Sequence, residues 1–294
     1  MEQLNNCPVC QSQTFEEYLT VKDYTVSQEQ FKIVTCKKCG FRFTNPRPDG
    51  NAIGEYYKAE SYISHTNTSK GLISKIYQEV RKFTLKGKLN LINRLYPQKG
   101  KLLDVGCGTG MFLNVARENG WKVNGIEPDA GARGIAETTN QITIKEEVLS
   151  SFQNETFEVI TMWHVLEHVH QLNETIEWLK ARLSKEGSLI IAVPNNESKD
   201  AEIYQKQWAA YDVPRHLYHF SQNSIKELFA KHGFELKETL PMKFDSFYVS
   251  MLSTKYQTGK INYVKAFVDG LKSNLNASKQ NQNYSSLIYV FKKF

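Results

Sequence analysis

The residues with the greatest chemical reach lie between Lys101 and Leu113, in the run KLLDVGCGTGMFL. Asp104 is followed by three glycines at alternate positions, Gly106, Gly108 and Gly110. From Thr109 to Asn119 the spacing turns helical, with Phe112, Val115 and Ala116 on one face. A strand, a tight glycine turn and a helix start let backbone lie directly against a ligand, where any Cβ would hold it off. Seventeen residues past Gly110, the run GWKVNGIEP reads as a second strand ending in Glu127. A carboxylate there suits the two hydroxyls of a ribose. Met111 stands where the nicotinamide fingerprint needs its third glycine, so that motif is not met.

A second constellation is thiol chemistry. Four of the five cysteines form two C-x-x-C pairs, Cys7 with Cys10 and Cys36 with Cys39. Two such turns can close a tetrahedron of thiolates around a structural zinc ion. Four thiolates leave no open position for catalysis, and a disulfide pairing fits poorly in a chain read as cytoplasmic. The start, MEQLNNCPVC, has neither a basic flank nor an apolar core, so no export signal is expected.

Two histidine-bearing stretches remain. His164-Val165-Leu166-Glu167-His168 fits the inverted zinc-peptidase motif. That motif needs an established helix, and here it directly follows a strand with no third ligand evident. The bland alternative has Glu167 and His168 bracing the loop by hydrogen bonds. The other stretch runs from Trp208 to Phe220 and holds Arg215, His216 and His219 among aromatic residues. Arg215 could grip an acidic group through both arms of its guanidinium. His216 has a pKa suited to general-base work, with His164 in reserve. His216, His164, Glu167 and Arg215 are therefore the candidate catalytic residues; the plainer reading of the stretch is a loop in which Arg215 and His219 cap backbone.

The glycine loop from Asp104 to Gly110 followed by Glu127 resembles the cofactor site of class I S-adenosylmethionine (SAM) methyltransferases. The resemblance implies an α/β, Rossmann-like, seven-stranded methyltransferase sheet over roughly residues 70 to 294. It also implies SAM as cofactor, held by Asp104, Gly106, Cys107, Gly108, Gly110 and Glu127, with Pro128, Trp163 and His164 beside them. Cys107 is expected to serve only as a small buried residue in the turn. In quinone-biosynthesis O-methyltransferases a similar segment carries a glutamate followed, three and four residues later, by Glu-His. This chain has His164 in the first of those places, which alters that ligand set for a divalent cation. Segments similar to Trp208–Phe220 recur in bacterial methyltransferases that carry the two C-x-x-C pairs, sugar C-methyltransferases among them. The implied acceptor is a small molecule or a sugar of a glycan, methylated on oxygen or carbon. RNA or protein acceptors docked on the zinc module are the alternative within the class; a SAM-binding protein without turnover lies outside it.

The elements that must position these residues follow from periodicity. Residues 1–48 form a small zinc-ribbon-like module, with a hairpin of Phe15, Tyr18 and Leu19 against Phe31, Ile33 and Val34. Residues 49–100 are a proline-broken linker with Tyr56, Tyr57 and Tyr62, which could line a substrate pocket but are read as packing residues, and an entry helix over 72–95. Residues 101–294 are the catalytic core, in which strands and helices alternate as in a parallel sheet. Helices are expected from Asn173, closed by Gly187, and after Ser221, where Phe220 and Ile225 form a hydrophobic staple. Strands are expected over 157–162, 188–193, 234–240 and 287–291, and residues 245–283 read as an insertion. With 294 residues, 40% apolar and 23% charged, the composition is that of an ordinary globular protein. Its net charge of +6 comes from scattered lysines and arginines with no long basic run, which argues against nucleic acid as a partner. No apolar run approaches the ~18 residues of a membrane helix.

Overall fold

The computed structural model describes residues 1–58 and 72–294. Tyr62 lies outside the described residues. Ten strands and eight α-helices are described. The first three strands, β1 (Phe15–Lys22), β2 (Gln30–Cys36) and β3 (Arg42–Thr44), are followed by helix α1 (Leu72–Leu95). An alternating run comes next: β4 (Lys101–Val105), α2 (Met111–Glu118), β5 (Lys122–Ile126), α3 (Ala130–Asn140), β6 (Phe157–Trp163), α4 (Leu172–Arg182) and β7 (Leu183–Pro194). Then come α5 (Lys199–Tyr204), β8 (Tyr218–His219), α6 (Gln222–Lys231), β9 (Phe234–Pro241), α7 (Asp245–Thr258), α8 (Tyr263–Lys279) and β10 (Ser286–Lys293).

Six strands form the central sheet in the order β5-β4-β6-β7-β10-β9. β5, β4, β6 and β7 run parallel, and β10 is antiparallel to both its neighbours. The seventh position, outside β5, holds a single parallel bridge from Ile126 to Lys145, because the apolar run there gives way to Lys145-Glu146-Glu147. Neighbouring side chains on a strand point to opposite faces, and each parallel strand here is apolar on both. Leu102, Val159 and Ile190 face α1, α2 and α3 through Leu89, Ile92, Leu113 and Ala136. Leu103, Ile160 and Leu189 face α4 and α6 through Ile176, Leu179, Ile225 and Leu228.

Helix α6 starts as its sequence dictates: Ser221 accepts from the Ser224 N–H, Ser224 answers onto the Ser221 N–H, and Phe220 and Ile225 are both buried. Helix α4 ends at Arg182 instead of Gly187, because Leu183 pairs with Phe157 and begins a long β7. Gly187 sits inside that strand against the Leu183 side chain, where a Cβ would lie 2.8 Å from its Cδ1.

The cysteine hairpin does not hang on the core as an appendage. β3 pairs with β8, so β1-β2-β3-β8 form one antiparallel sheet that joins residues 15–44 to 218–219. Cys7, Val9, Cys36, Phe41 and Phe43 share a hydrophobic cluster with Leu217, Tyr218, Phe220 and the central sheet. The expected boundary at residue 48 therefore separates no cores. A third cluster packs Val21, Phe31 and Ile33 of the hairpin against Tyr204, Trp208, Tyr211 and Val249.

Candidate functional site

The glycine loop leaves β4 and enters α2, and all three glycines have positive φ: +69° at Gly106, +54° at Gly108 and +73° at Gly110. Two of them are needed for packing. A Cβ at Gly106 would lie 2.4 Å from Val165 Cγ2, and one at Gly110 would lie 2.9 Å from Ala136 Cβ. Gly108 differs, since its Cβ would meet nothing within 4 Å. Its open side is a cradle, and φ in the left-handed region keeps other residues out.

An acid stands on each side of the cradle. Glu127, at the end of β5, accepts from the Gly108 N–H at 2.7 Å and from the Asp129 N–H at 2.9 Å. Burial raises its pKa, and these two donors offset part of that. Asp104 is 2% exposed and, by strand register, level with Thr161, whose hydroxyl donates to it at 2.6 Å. Burial pushes the Asp104 carboxyl up to about 7, against the pull of Thr161 and Lys88. Cys107 turns its side chain inward beside Leu113 and Ile144, so only its backbone belongs to the loop. Pro128 is at the exposed rim, its carbonyl held by Arg133 at 2.8 Å.

Trp163, the last residue of β6, packs edge-on against Phe112 with centroids 5.7 Å apart. Its buried Nε1 has no hydrogen-bond partner among the described residues. Over its ring, 4.3 Å from the centroid, lies the ammonium of Lys88 from α1. Lys88 makes no hydrogen bond or ion pair among the described residues; burial lowers its pKa, while the charges of Asp104 and Asp245 hold it up. Sequence reasoning missed Lys88, because nothing in a helical run of lysines marks the one that turns inward. The open glycine, the unpartnered indole N–H and the unpaired cation fit a ligand with a π-system, acceptor atoms and a carboxylate. SAM has all three.

Next to the cradle, His164 adopts φ +58° at the end of β6, and this turn starts the loop to Glu167. Its ring lies between two carboxylates, 3.1 Å from Asp245 and 3.4 Å from Glu167. Burial works against the charge, but the two acids prevail and push its pKa up to about 10. A protonated imidazole has no lone pair, so His164 is corrected from a reserve base to a fixed cation.

Arg215 is corrected more fully. It is entirely buried, with Nε and Nη2 on Asp212 at 3.0 and 2.7 Å, Nη2 also on Asp23 at 3.0 Å, and Nη1 on the Tyr56 carbonyl at 2.9 Å. No arm is left for an acceptor. Asp23 in turn caps the N–H groups of Thr25, Val26 and Ser27, so Arg215 ties the hairpin turn to the core. His219 is likewise structural, 3.1 Å from Thr44 Oγ1. Almost the whole stretch 208–220 is buried, which favours the plainer reading for everything in it except His216.

His216 meets the Glu167–His168 segment, its ring 4.6 Å from that of His168. Its Nδ1 lies 2.8 Å from the Ala210 carbonyl, and His168 Nδ1 lies 3.1 Å from the Arg215 carbonyl. His168 thus braces the loop. Glu167 instead faces the His164 ring at 3.4 Å, and its oxygens accept no shorter hydrogen bond among the described residues. At the other end of the chain's fold, the four cysteines are unpaired and converge: Cys7 Sγ is 3.6 Å from Cys39 Sγ and Cys10 Sγ is 3.4 Å from Cys36 Sγ.

A family model described as a methyltransferase domain matches residues 77–239, more than half of the chain. Among curated proteins, a ubiquinone biosynthesis O-methyltransferase of Nitrosospira multiformis is 24% identical over 61% of this chain and 81% of that protein. Another, from Actinobacillus pleuropneumoniae, is 35% identical over 34% of this chain, which spans about half of that relative's length. Among solved structures, magnesium protoporphyrin IX methyltransferase of Synechocystis PCC 6803 with bound SAH superposes with a TM-score of 0.56 at 12% identity, covering 84% of this chain and 100% of that one.

Proposed function

The chain belongs to the methyltransferase-domain family and is a class I SAM-dependent enzyme; from that premise we propose that it methylates a hydroxyl or an acidic carbon of a small molecule, sugars and glycans among the acceptors. The observation that carries the cofactor half of this reading is the open face of Gly108 between Asp104 and Glu127. Glu127 would hold the ribose hydroxyls and Lys88 the methionyl carboxylate. When bound, SAM supplies a methyl carbon on a positively charged sulfur.

The chain's own residues then have two tasks, to align the acceptor and to accept its proton. Because Nδ1 of His216 donates to the Ala210 carbonyl, its lone pair is on Nε2. The cluster of Glu167, His168 and His216 is the proposed place where the acceptor loses its proton. His164 links Glu167 of this cluster to Asp245, whose charge also acts on Lys88.

One feature supports a second acceptor class. Val80, Phe83 and Phe244 line a surface depression, with Phe83 and Phe244 packed edge-on at 5.6 Å. Phe83 is 65% exposed. An apolar phenol would cover these rings better than a sugar, and the curated relatives are named for ubiquinone biosynthesis.

A four-thiolate site for structural zinc is also proposed at Cys7, Cys10, Cys36 and Cys39, whose Sγ atoms all lie within 4.8 Å of one another. Cys7 and Cys36 are fully buried in the shared core, which argues against this site as a dock for RNA or protein. Such a cluster persists in a reducing compartment, so the cytoplasm remains the proposed location. Among the described residues no helix is long and apolar enough to cross a membrane.

The test is incubation with SAM carrying an isotopic methyl group and two acceptor panels, nucleotide sugars and alkylated phenols. Label should move to one panel, and calorimetry should give SAM binding with NADH ignored. A protein that ignores SAM ends the proposal.

A further inference from the structure

We propose that the outer side of α8 is a docking surface for an anionic lipid bilayer, on a face that takes no part in the cradle or in the histidine cluster. The helix has three distinct sides. Ala266, Asp269, Gly270, Ser273 and Ala277 are buried against the rest of the fold. Tyr263, Val264, Phe267, Val268, Leu271 and Leu275 are exposed, Val264 to 77% and Phe267 to 60%. At 3.6 residues per turn these six fall on one side, across about 140° of the helix. Lys265, Lys272 and Lys279 recur every seven residues and so form a row along one edge of that side. Apolar side chains gathered outward in this way are unfavourable in water, and such patches mark surfaces of interaction.

Charge decides what covers them. Between Met242 and Tyr284 the sequence has six lysines and two acids, and both acids are engaged. Asp245 lies 3.1 Å from the ring of His164. Asp269, the only acid of α8, is buried, accepts from the Tyr204 hydroxyl at 2.9 Å and holds Lys265. The outer side of α8 therefore presents apolar groups and lysines with no acid among them. A second copy docked on the same face would set lysine against lysine, since a two-fold contact repeats one surface on both partners. An anionic bilayer suits both halves of the pattern. Phenyl and branched side chains enter the boundary between headgroups and acyl chains, and lysines at the edge reach the phosphates.

The apolar surface also continues beyond α8. Phe267 stacks on Phe247 at 5.5 Å, the Phe247 N–H donates to the Phe244 carbonyl at 3.2 Å, and Phe244 meets Phe83 at 5.6 Å. The aromatic path thus ends at the depression on α1, where Lys82 and Lys86 stand beside Phe83. Two helices therefore present the same combination of apolar and cationic side chains, and docking would bring that depression to the headgroups.

Co-sedimentation of the full chain with vesicles tests the surface. One set is phosphatidylcholine alone, the other equal parts phosphatidylcholine and phosphatidylglycerol. Wild type should bind the anionic set more tightly by about tenfold or more. Raising salt to about 1 M, where charges are screened within ~3 Å, should weaken that binding. Val264→Ser with Leu271→Ser removes apolar contact, and Lys272→Glu with Lys279→Glu reverses the row of charge. Each pair should weaken anionic vesicles by about tenfold or more, while SAM affinity and near-ultraviolet circular dichroism stay at wild-type values. All four positions are exposed, so neither pair disturbs the core. A wild type that stays in the supernatant, equal binding to both vesicle sets, or variants that bind as wild type would each overturn the proposal. A dimer in analytical ultracentrifugation that Val264→Ser with Leu271→Ser dissolves would overturn it too, and would assign the face to a second copy. Because SAM is titrated without vesicles, failure of docking and failure of the methyltransferase reading are read apart.

Discussion

The N–H of Gly108 donates to the carboxylate of Glu127 at 2.7 Å, so the cradle glycine and the acid of the next strand act as one unit. Glu127→Ala should therefore lose its contacts to the ribose and also release the loop. SAM should bind more weakly by about 2–4 kcal/mol, since charge-assisted hydrogen bonds of this kind contribute ~1.5–3 kcal/mol each. Calorimetry measures it.

The glycines should separate by phenotype. Gly108→Ala meets open space, so its folded state should lose only the ~1–2 kcal/mol of a left-handed backbone while SAM binding disappears. Gly106→Ala adds a collision with Val165 and should lose a further ~1–3 kcal/mol of stability. Urea unfolding beside SAM titration distinguishes the two. Equal loss of binding and stability in both variants would mean that Gly108 is a packing glycine as well.

Lys88 should recognise the one anionic group of SAM. Lys88→Met is expected to weaken SAM about 10–100-fold, the value of one charge-assisted bond. It should leave decarboxylated SAM unchanged. If both ligands weaken alike, Lys88 acts through the fold or the ring of Trp163 and not on the carboxylate.

Asp104 gives the binding a pH dependence with a definite sign. Its carboxyl is pushed up to about 7 by burial, so near neutrality the cofactor-free protein holds it partly protonated. A cationic ligand beside it favours the ionised form, so binding expels that proton. SAM affinity should rise as pH is raised towards about 7 and level off above, with proton release measurable as buffer-dependent heat. Asp104→Asn should flatten the rise. A wild-type affinity that is level from pH 5.5 to 8 would show that the cofactor's positive charge lies elsewhere.

What the sequence revealed and what it hid have physical causes. The glycine loop, the Ser221 capping box and the hairpin from Phe15 to Val34 are local, and their residues need only near neighbours. The pair of Arg215 and Asp23 spans 192 residues, so an arginine in a histidine-rich stretch looked free when it was fully engaged. Helices α7 and α8 were invisible for another reason. Their core-facing positions are small or polar, with Ser246, Ser250 and Ser253 on one and Ala266, Gly270 and Ser273 on the other. At Gly270 a Cβ would lie 2.7 Å from Phe247 Cδ1, so close approach of the helices demands small residues. Meanwhile Val264, Phe267 and Leu271 of α8 face outward, and an apolar stripe therefore marks the exposed side. The encounter of His216 with Glu167 and His168 depends on the same long-range folding, since each segment alone offered only part of the cluster.

The last prediction concerns the join between hairpin and core, where Arg215 and the cysteines act from different sides. Breaking a buried charge pair leaves an unpaired ion behind, so Arg215→Ala should lower stability by about 3–5 kcal/mol. Arg215 touches neither the cradle nor the indole of Trp163, so SAM affinity of the folded fraction should stay within about twofold. Wild type should carry one zinc ion per chain at the proposed four-cysteine site, and Cys36→Ser should carry less. Because Cys36 shares a cluster with Phe43, Tyr218 and Phe220, the loosening should cross residue 48. Hydrogen exchange should accelerate in β3 and β8 together, and not only in residues 1–48. If exchange rises in the hairpin alone while β8 stays protected, the module is separable after all, and the shared sheet contributes little to the stability of the core.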